Sequence, residues 1–229
     1  MVTLAPELPG AEAVIRVLLE RDVVVAAGHS AATFEQAVAA LRAGVTHGTH
    51  LFNGMAPLLA RDPGLVGALL EDAGAYISLI VDGIHLHPTT VRLVRASKPA
   101  NRVVLITDAT AGMGAGPGVY PLGDLVVFVD ETSARNANGD LAGSILTLDQ
   151  AVRNYVAFTG CSTAEGLSAV SANPANVIGE TGRGTIEAGR RADVVILDDQ
   201  LAVQATIAEG LLVHLADGFA DRVDESKAV

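Results

Sequence analysis

The segment VVVAAGHS, residues 23–30, carries an apolar run directly into a histidine, His29. Three later segments share this arrangement of an apolar run that ends in a polar residue, and they are VTHGTHLFN (45–53), YISLIVDGIH (76–85) and VVLITDA (103–109). Each segment is separated from the next by enough residues for one helix. Strands linked by such crossovers lie parallel, with their carboxyl ends at one edge. The segments therefore predict an α/β fold with polar residues gathered at one rim of a parallel barrel.

Composition is consistent with a buried parallel sheet and narrows the possible partners. Half of the 229 residues are apolar, only 3% are aromatic and Trp is absent, so the core must be aliphatic. A net charge of −11 with 15 Lys and Arg argues against a nucleic-acid partner. Cys161 is the only cysteine, which excludes an intrachain disulfide and is typical of cytoplasmic proteins. The sequence shows neither a signal peptide nor an apolar run of ~18 residues, so we expect no membrane association.

Helical spacing fills the stretches between the predicted strands. Four segments have apolar residues at helical intervals, and they are AEAVIRVLLERD (11–22), TFEQAVAALRAG (33–44), PGLVGALLEDAG (63–74) and HPTTVRLVRASK (87–98). In the second segment, Thr33 and Gln36 have the spacing of a capping box, and Gly44 is a stop signal. VTLAPE (2–7) predicts one further strand of the same sheet. The chain therefore contains five strand–helix units, whereas a complete barrel has eight.

The pattern changes after Asp108. A Gly-rich loop (109–118) precedes short strands with a turn at Asn138-Gly139, then helical patterns with a break at Asn173-Pro174, and then a strand at 184–198 with a possible partner at 203–213. We expect residues 1–180 to form a partial barrel with a β insert at about 119–143. Residues 181–213 would form part of a small β-domain, and 214–229 a frayed acidic tail.

The residue types at the predicted rim are those of a metal hydrolase. His29 and His50 follow neighbouring strands, and neutral imidazoles are good ligands for Zn²⁺ or Fe²⁺. Asp108 follows a strand further round, where a carboxylate can take a proton from water and return it to a leaving group. A single strand-end histidine is more often a hydrogen-bonded structural residue. Repetition of polar residues at successive strand ends favours a functional site.

The sequence gives less reason to assign a functional role to His47, His87 and His214. His47 lies two residues before His50 and so on the same side of the strand, where it could be a second ligand, although a supporting or packing role is favoured. His87 and His214 are predicted to be ordinary surface residues.

Motifs along nearly the whole chain resemble those of the N-acetylglucosamine-6-phosphate deacetylases, which belong to the amidohydrolase superfamily. The matching stretches run from about Thr3 to Gly210 and are TLAPE, GHSAAT, THGTHLFNGM, RDPGLVGALL, LIVDGIHLHP, LITDAT, LAGSILT and GTIEAGRRADVVILD. The resemblance implies a metal-dependent hydrolase that releases acetate from N-acetylglucosamine 6-phosphate. It also implies a (β/α)8 barrel of which this chain carries strands four to eight.

The resemblance assigns roles to individual residues. His29 and His50 match two metal-binding histidines, and Asp108 matches the aspartate that activates water and then protonates the departing amine. The resemblance further implies that Asn53 and Gly54 help to hold the sugar phosphate and that His85 contacts the substrate. It also implies that Arg61 reaches the phosphate from the neighbouring subunit of a homodimer, and that the segment Leu141–Ser144 lies over the acyl group.

The chain also departs from the family pattern. Family members carry, upstream of TLAPE, a His-x-Glu-Gly-Pro motif whose glutamate is a metal ligand, and this motif is not in the sequence. Glu7 in TLAPE is not its counterpart, so we assign it no metal. We expect the chain to be a fragment, the product of a shortened reading frame or half of a split assembly. Three functions stay open: an active amino-sugar-phosphate deacetylase, an inactive sugar-phosphate-binding module, and a subunit completed by a second chain.

Overall fold

A parallel sheet of five strands forms the centre of the molecule. The computed structural model describes residues 1–219. The strands are β1 (Val2–Leu4), β2 (Val25–Ala27), β3 (His47–Gly48), β4 (Tyr76–Ile80) and β5 (Val103–Ile106). They are adjacent in chain order, and every neighbouring pair is parallel. The predicted α/β class with five parallel strands is therefore confirmed.

One helix follows each of the first four strands. They are α1 (Ala11–Leu19), α2 (Phe34–Arg42), α3 (Gly64–Glu71) and α4 (Pro88–Ser97), and a short 3₁₀ turn at Ala100–Arg102 leads into β5. The predicted capping box is present, because Thr33 Oγ1 accepts from the Gln36 amide at 3.3 Å while Gln36 Oε1 accepts from the Thr33 amide at 2.9 Å. His87, predicted to be only a surface residue, caps α4 by accepting from the Thr89 amide at 3.2 Å.

The core is aliphatic, as the composition predicts. Strands β2, β4 and β5 are largely buried, and the helices pack Val, Leu and Ala against them. Tyr155 is the one large aromatic side chain in the described part of the core that is fully buried. Dense packing of small branched side chains holds the strand ends in fixed positions.

A separate antiparallel sheet follows β5. It contains β6 (Gly118–Leu122), β7 (Leu125–Val129) and β8 (Ala134–Arg135), with its own small buried cluster. The predicted turn at Asn138-Gly139 is present, with Gly139 at φ +86°, and it brings Leu141 back into a bridge with Arg135. The insert begins at Gly118, one residue before the expected boundary.

Three helices follow, and they are α5 (Leu148–Thr159), α6 (Thr163–Ser168) and α7 (Ala172–Val177). The break between the last two lies at residues 169–171, so its predicted position at Asn173-Pro174 is wrong by a few residues. Pro174 falls in the first turn of α7, where a missing N–H group costs nothing. This segment covers the free edge of β5, because the Leu105 amide donates to Ala169 O at 2.9 Å and Asn173 Nδ2 donates to Val103 O at 2.7 Å.

A third sheet completes the described chain. Its strands are β9 (Val194–Leu197), β10 (Val203–Ala208) and β11 (Leu211–Leu215), all antiparallel in the order β11-β10-β9. The segment 203–213 is therefore a hairpin and not one partner strand. Strand β11 includes the first two residues of the predicted tail, the exposed His214 and Leu215. The rest of the predicted tail, from residue 220, lies outside the described residues.

Within residues 1–219, the helices are all too short or too polar to cross a membrane.

Candidate active site

Three of the predicted site residues occupy the same position relative to their strands. His29, His50 and Asp108 each lie two residues beyond the last residue of β2, β3 and β5. All three have a left-handed backbone, with φ of 49°, 34° and 50°. Non-glycine residues rarely adopt this conformation, which costs of order 1–3 kcal/mol and is concentrated at functional sites. The sequence gives no sign of this strain.

The two histidine rings meet at the rim. His29 Nε2 and His50 Nε2 are 2.9 Å apart, and the rings are edge to face at 87° with centroids 4.6 Å apart. His50 is only 6% exposed, whereas His29 is open to solvent. Burial lowers the pKa of His50, the neighbouring His29 lowers it further, and the carboxylate of Asp108 acts in the opposite direction. His50 is therefore neutral at physiological pH, the state in which imidazole binds metals.

A buried hydroxyl supports the strained backbone of His50. Ser78 Oγ on β4 accepts from the His50 amide at 2.8 Å, donates to Gly48 O at 3.2 Å and lies 3.2 Å from His47 Nε2. Because the single hydroxyl proton goes to Gly48, His47 Nε2 must be the donor in its contact. Burial lowers the pKa of His47 to about 4, so this ring is neutral. His47 therefore lies in the hydrogen-bond network that supports His50, in agreement with the supporting role that the sequence favours.

The turn after β3 packs against His29. A Cβ atom on Gly54 would lie 2.7 Å from His29 Nδ1, so only glycine lets the chain pass the ring this closely. Gly54 is also left-handed, at φ +62°. Asn53 donates its side-chain amide to the carbonyls of His50 and Leu51 at 3.4 and 3.3 Å. Both residues predicted to hold a sugar phosphate thus lie beside the histidine pair.

The loop after β8 lies against Asp108. The Ser144 amide donates to Asp108 O at 2.7 Å, and Ser144 Oγ donates to Thr107 O. A Cβ on Gly143 would lie 2.7 Å from Asp108 O, so the approach again requires glycine. Leu141, half-buried, precedes this contact by three residues in the same loop. The Asp108 side chain itself is exposed.

His85 is oriented by a residue that sequence reasoning missed. Asp82 Oδ2 lies 2.6 Å from His85 Nδ1, and Asp82 Oδ1 accepts from the amides of Ile84 and His85 at 2.8 and 2.7 Å. Burial acts to raise the pKa of Asp82, but the hydrogen bonds from His85 hold it below its ordinary value. The Asp-x-x-His spacing in DGIH is the signal that could have identified Asp82 as the orienting carboxylate.

Arg61 stands apart from the other predicted site residues. It lies in an exposed turn between Leu59 and Asp62, and these two residues form an isolated antiparallel β-bridge. Across residues 1–219, its guanidinium has no hydrogen-bond or ion-pair partner. It is therefore a free cation on the surface after β3, and no contact joins it to His29, His50 or Asp108.

The histidine pair fits part of a metal site. Two ligands at tetrahedral angles and about 2.0–2.1 Å from a zinc ion are roughly 3.3 Å apart, close to the observed separation of the Nε2 atoms. In the part of the chain that the structure describes, no group of three His, Cys, Asp or Glu side chains is close enough to hold a metal ion. The separation of the His29 and His50 Nε2 atoms therefore fits two positions of a tetrahedral site.

The fold and the site define a class, an α/β protein with paired histidines and an aspartate at the carboxyl edge of a parallel sheet. Residues 10–213 match the sequence pattern of the amidohydrolase family, and the chain belongs to that family.

Several relatives carry a more specific name. An N-acetylglucosamine-6-phosphate deacetylase of Lysinibacillus sphaericus is 44% identical over 91% of this chain and 54% of its own length. An N-acetylgalactosamine-6-phosphate deacetylase of Escherichia coli O157:H7 is 44% identical over 93% and 56%. The structure of a Mycobacterium smegmatis N-acetyl-D-glucosamine-6-phosphate deacetylase variant, in complex with N-acetyl-D-glucosamine-6-phosphate, superimposes with a TM-score of 0.88 at 43% identity over 93% of this chain and 57% of that one. The predicted resemblance is confirmed, and the chain spans about half the length of the curated relatives it matches.

Proposed function

We propose that this chain carries the catalytic rim of an amino-sugar-phosphate deacetylase. The reaction is hydrolysis of the acetamide of N-acetylglucosamine 6-phosphate to glucosamine 6-phosphate and acetate, in amino-sugar metabolism. The observation that carries the proposal is the 2.9 Å approach of His29 Nε2 to His50 Nε2, with the charge of Asp108 acting on His50. We assign this chemistry to residues 1–180 and not to the small β-region, residues 181–213.

His29 and His50 would hold a divalent cation, zinc or iron, through their Nε2 atoms. Bound there, the cation would polarise the amide carbonyl and make water a better nucleophile. Burial keeps His50 neutral and available as a ligand. The Ser78 hydroxyl and Gly54 keep the two rings in place.

Asp108 would move the proton. Its carboxylate takes a proton from the water that attacks the carbonyl carbon, and it returns that proton to the nitrogen as the carbon–nitrogen bond breaks. The products are the amine and acetic acid, and transfer of the acid's proton to the amine gives ammonium and acetate, so atoms and charge balance. The exposed position of the Asp108 side chain leaves it accessible to substrate.

The other polar residues around the rim would bind the substrate. We assign contacts with the sugar phosphate to Asn53, Gly54 and His85, and closure over the acyl group to Leu141. Arg61 suits a phosphate because its planar guanidinium can make two parallel hydrogen bonds. Its lack of a partner supports a role in a neighbouring subunit's site, in a homodimer. The single cysteine supports a cytoplasmic location.

Two observations favour alternatives to this assignment. The identity to an N-acetylgalactosamine-6-phosphate deacetylase is also 44%, which makes the epimeric sugar phosphate a second candidate substrate. The lack of a third clustered ligand within the described residues favours either a catalytically inactive sugar-phosphate-binding module or one half of a split enzyme.

An assay with three substrates tests the proposal. The chain, loaded with Zn²⁺ or Fe²⁺, is incubated with N-acetylglucosamine 6-phosphate, N-acetylgalactosamine 6-phosphate and unphosphorylated N-acetylglucosamine, and acetate release is measured. We expect the phosphorylated sugars to bind and the unphosphorylated one not to bind, with acetate released only from a phosphorylated sugar. Binding of the sugar phosphate without acetate release would favour the binding module. The absence of both binding and acetate release would contradict the proposal.

A further inference from the structure

Glu7 makes a two-pronged contact with the chain directly after His29. It lies three residues beyond β1, within the segment TLAPE. Its Oε2 accepts from Ser30 Oγ at 2.7 Å, and its Oε1 accepts from the Ala31 amide at 2.7 Å. Both oxygens of the carboxylate are therefore engaged by donors of the chain itself.

The segment that Glu7 holds is fixed from the other side as well. Ser30 is only 3% exposed, and its carbonyl accepts from the Ala56 amide at 3.1 Å. Gly54, from the same turn as Ala56, packs against the His29 ring. The segment directly after His29 is therefore held by Glu7 on one side and by the turn after β3 on the other.

These contacts hold His29 in a backbone conformation that is unfavourable on its own. His29 has φ +49°, and without outside contacts a non-glycine residue would relax from this region. Two hydrogen bonds to a charged acceptor are among the stronger interactions available to a loop. Burial acts to raise the pKa of Glu7, but the hydrogen bond from Ser30 and backbone donors hold it below its ordinary value, so the carboxylate is ionised.

We propose that Glu7 is a positioning residue for His29: by holding Ser30 and Ala31, it fixes the strained backbone that aims His29 Nε2 at His50 Nε2. This inference rests on the proposed function, since it concerns one of the two histidines assigned to the metal. It gives Glu7 a role in the site without making it a ligand. Contacts that orient a ligand raise metal affinity because the ligand loses less freedom on binding.

Metal affinity of the full chain tests this role. The variants are Glu7→Ala, which removes both contacts, and Glu7→Gln, which keeps the shape and one good acceptor. The matched control is Glu165→Ala, because Glu165 makes a similar two-pronged contact with Arg95 Nε and Nη2 at 2.7 and 2.8 Å, between α6 and α4. Co²⁺ binding is followed by visible absorption, Tm by circular dichroism and exchange of the Ala31 amide by NMR in the metal-free chain.

We expect Glu7→Ala to weaken Co²⁺ binding by about tenfold or more and to speed exchange of the Ala31 amide. Glu7→Gln should lie between this variant and the wild type, and Glu165→Ala should lower Tm without changing the Co²⁺ affinity. Unchanged affinity in Glu7→Ala, or an equal loss in Glu165→Ala, would overturn the positioning role while leaving the proposed function standing. A wild-type chain that binds no Co²⁺ would refute the metal pair and the positioning role together.

Discussion

Single residues at this site are held in conformations that the isolated chain would avoid. His29, His50 and Asp108 are all left-handed, and each has support from a distant part of the chain. The Glu7 side chain holds the residues after His29, the Ser78 hydroxyl accepts from the His50 amide, and the Ser144 backbone amide donates to Asp108 O. The sequence identified the three residues by their place after apolar runs. The sequence did not identify the residues that support them, because nothing in the local sequence around a serine or glutamate shows which distant backbone group it will contact in the fold.

Asp108→Asn should separate metal binding from chemistry. The amide keeps the size of the carboxylate but cannot accept a proton at neutral pH, so acetate release should fall by about 10²-fold or more. Bound metal, measured by elemental analysis, should change little because Asp108 is not one of the paired ligands. A variant that keeps its turnover would remove Asp108 from the mechanism.

Ser78→Ala should lower the free energy of unfolding by about 1–3 kcal/mol, because it leaves the buried His50 amide and His47 Nε2 without a partner. Urea denaturation measures this change. Ser133→Ala is the matched control, since Ser133, directly before β8, is also buried but its hydroxyl makes longer contacts, at 3.2–3.5 Å. Equal losses in the two variants would contradict the special support of His50 by Ser78.

At the scale of elements, sequence periodicity located the parallel strands and the helices between them. The capping box of α2 was predicted because its two bonds are local. The break between α6 and α7 was misplaced because the deciding contact is not local. Ala169 and Asn173 bond to the edge of β5, and this pairing fixes where the chain leaves the helix.

A buried lysine joins the ends of two helices. Lys98, just after α4 and 4% exposed, donates through Nζ to Leu69 O at 3.0 Å and to Asp72 O at the end of α3. A cation at a helix C-terminus satisfies carbonyls that lack partners within the helix. Burial lowers the pKa of Lys98 to about 8, with Asp72 opposing this shift.

This shift predicts how stability depends on pH. Between about pH 8 and pH 10.4 the unfolded chain holds a proton on Lys98 that the folded chain has released, so the free energy of unfolding should rise with pH through this group. The rise should total roughly 3 kcal/mol at most. Urea denaturation of wild type and Lys98→Met across this range measures it, since other titrations cancel in the difference. Parallel pH profiles for the two proteins would contradict the lowered pKa.

At the scale of the whole molecule, the three sheets differ in how well they are covered. The parallel sheet is buried under its helices, whereas β11 has every residue exposed, including Leu211, Leu212 and Val213 at 70%, 58% and 61%. The run LLVHL is as apolar as the buried strands, so periodicity predicted a strand and could not predict its exposure. Exposure depends on which elements pack on the sheet, and the described chain places none there.

The sequence by itself determined the α/β class, the order of the parallel strands, the aliphatic core and the rim residues His29, His50 and Asp108. These follow from local patterns: apolar runs form strands, helical spacing fills the crossovers, and parallel strands bring their carboxyl ends to one edge. Only the tertiary structure decided the 2.9 Å histidine pairing, the left-handed backbone at the rim, and the support from Glu7, Ser78 and Ser144. The physical reason is that these contacts join residues distant in the chain, and packing against neighbouring elements holds a strained backbone that local propensity opposes.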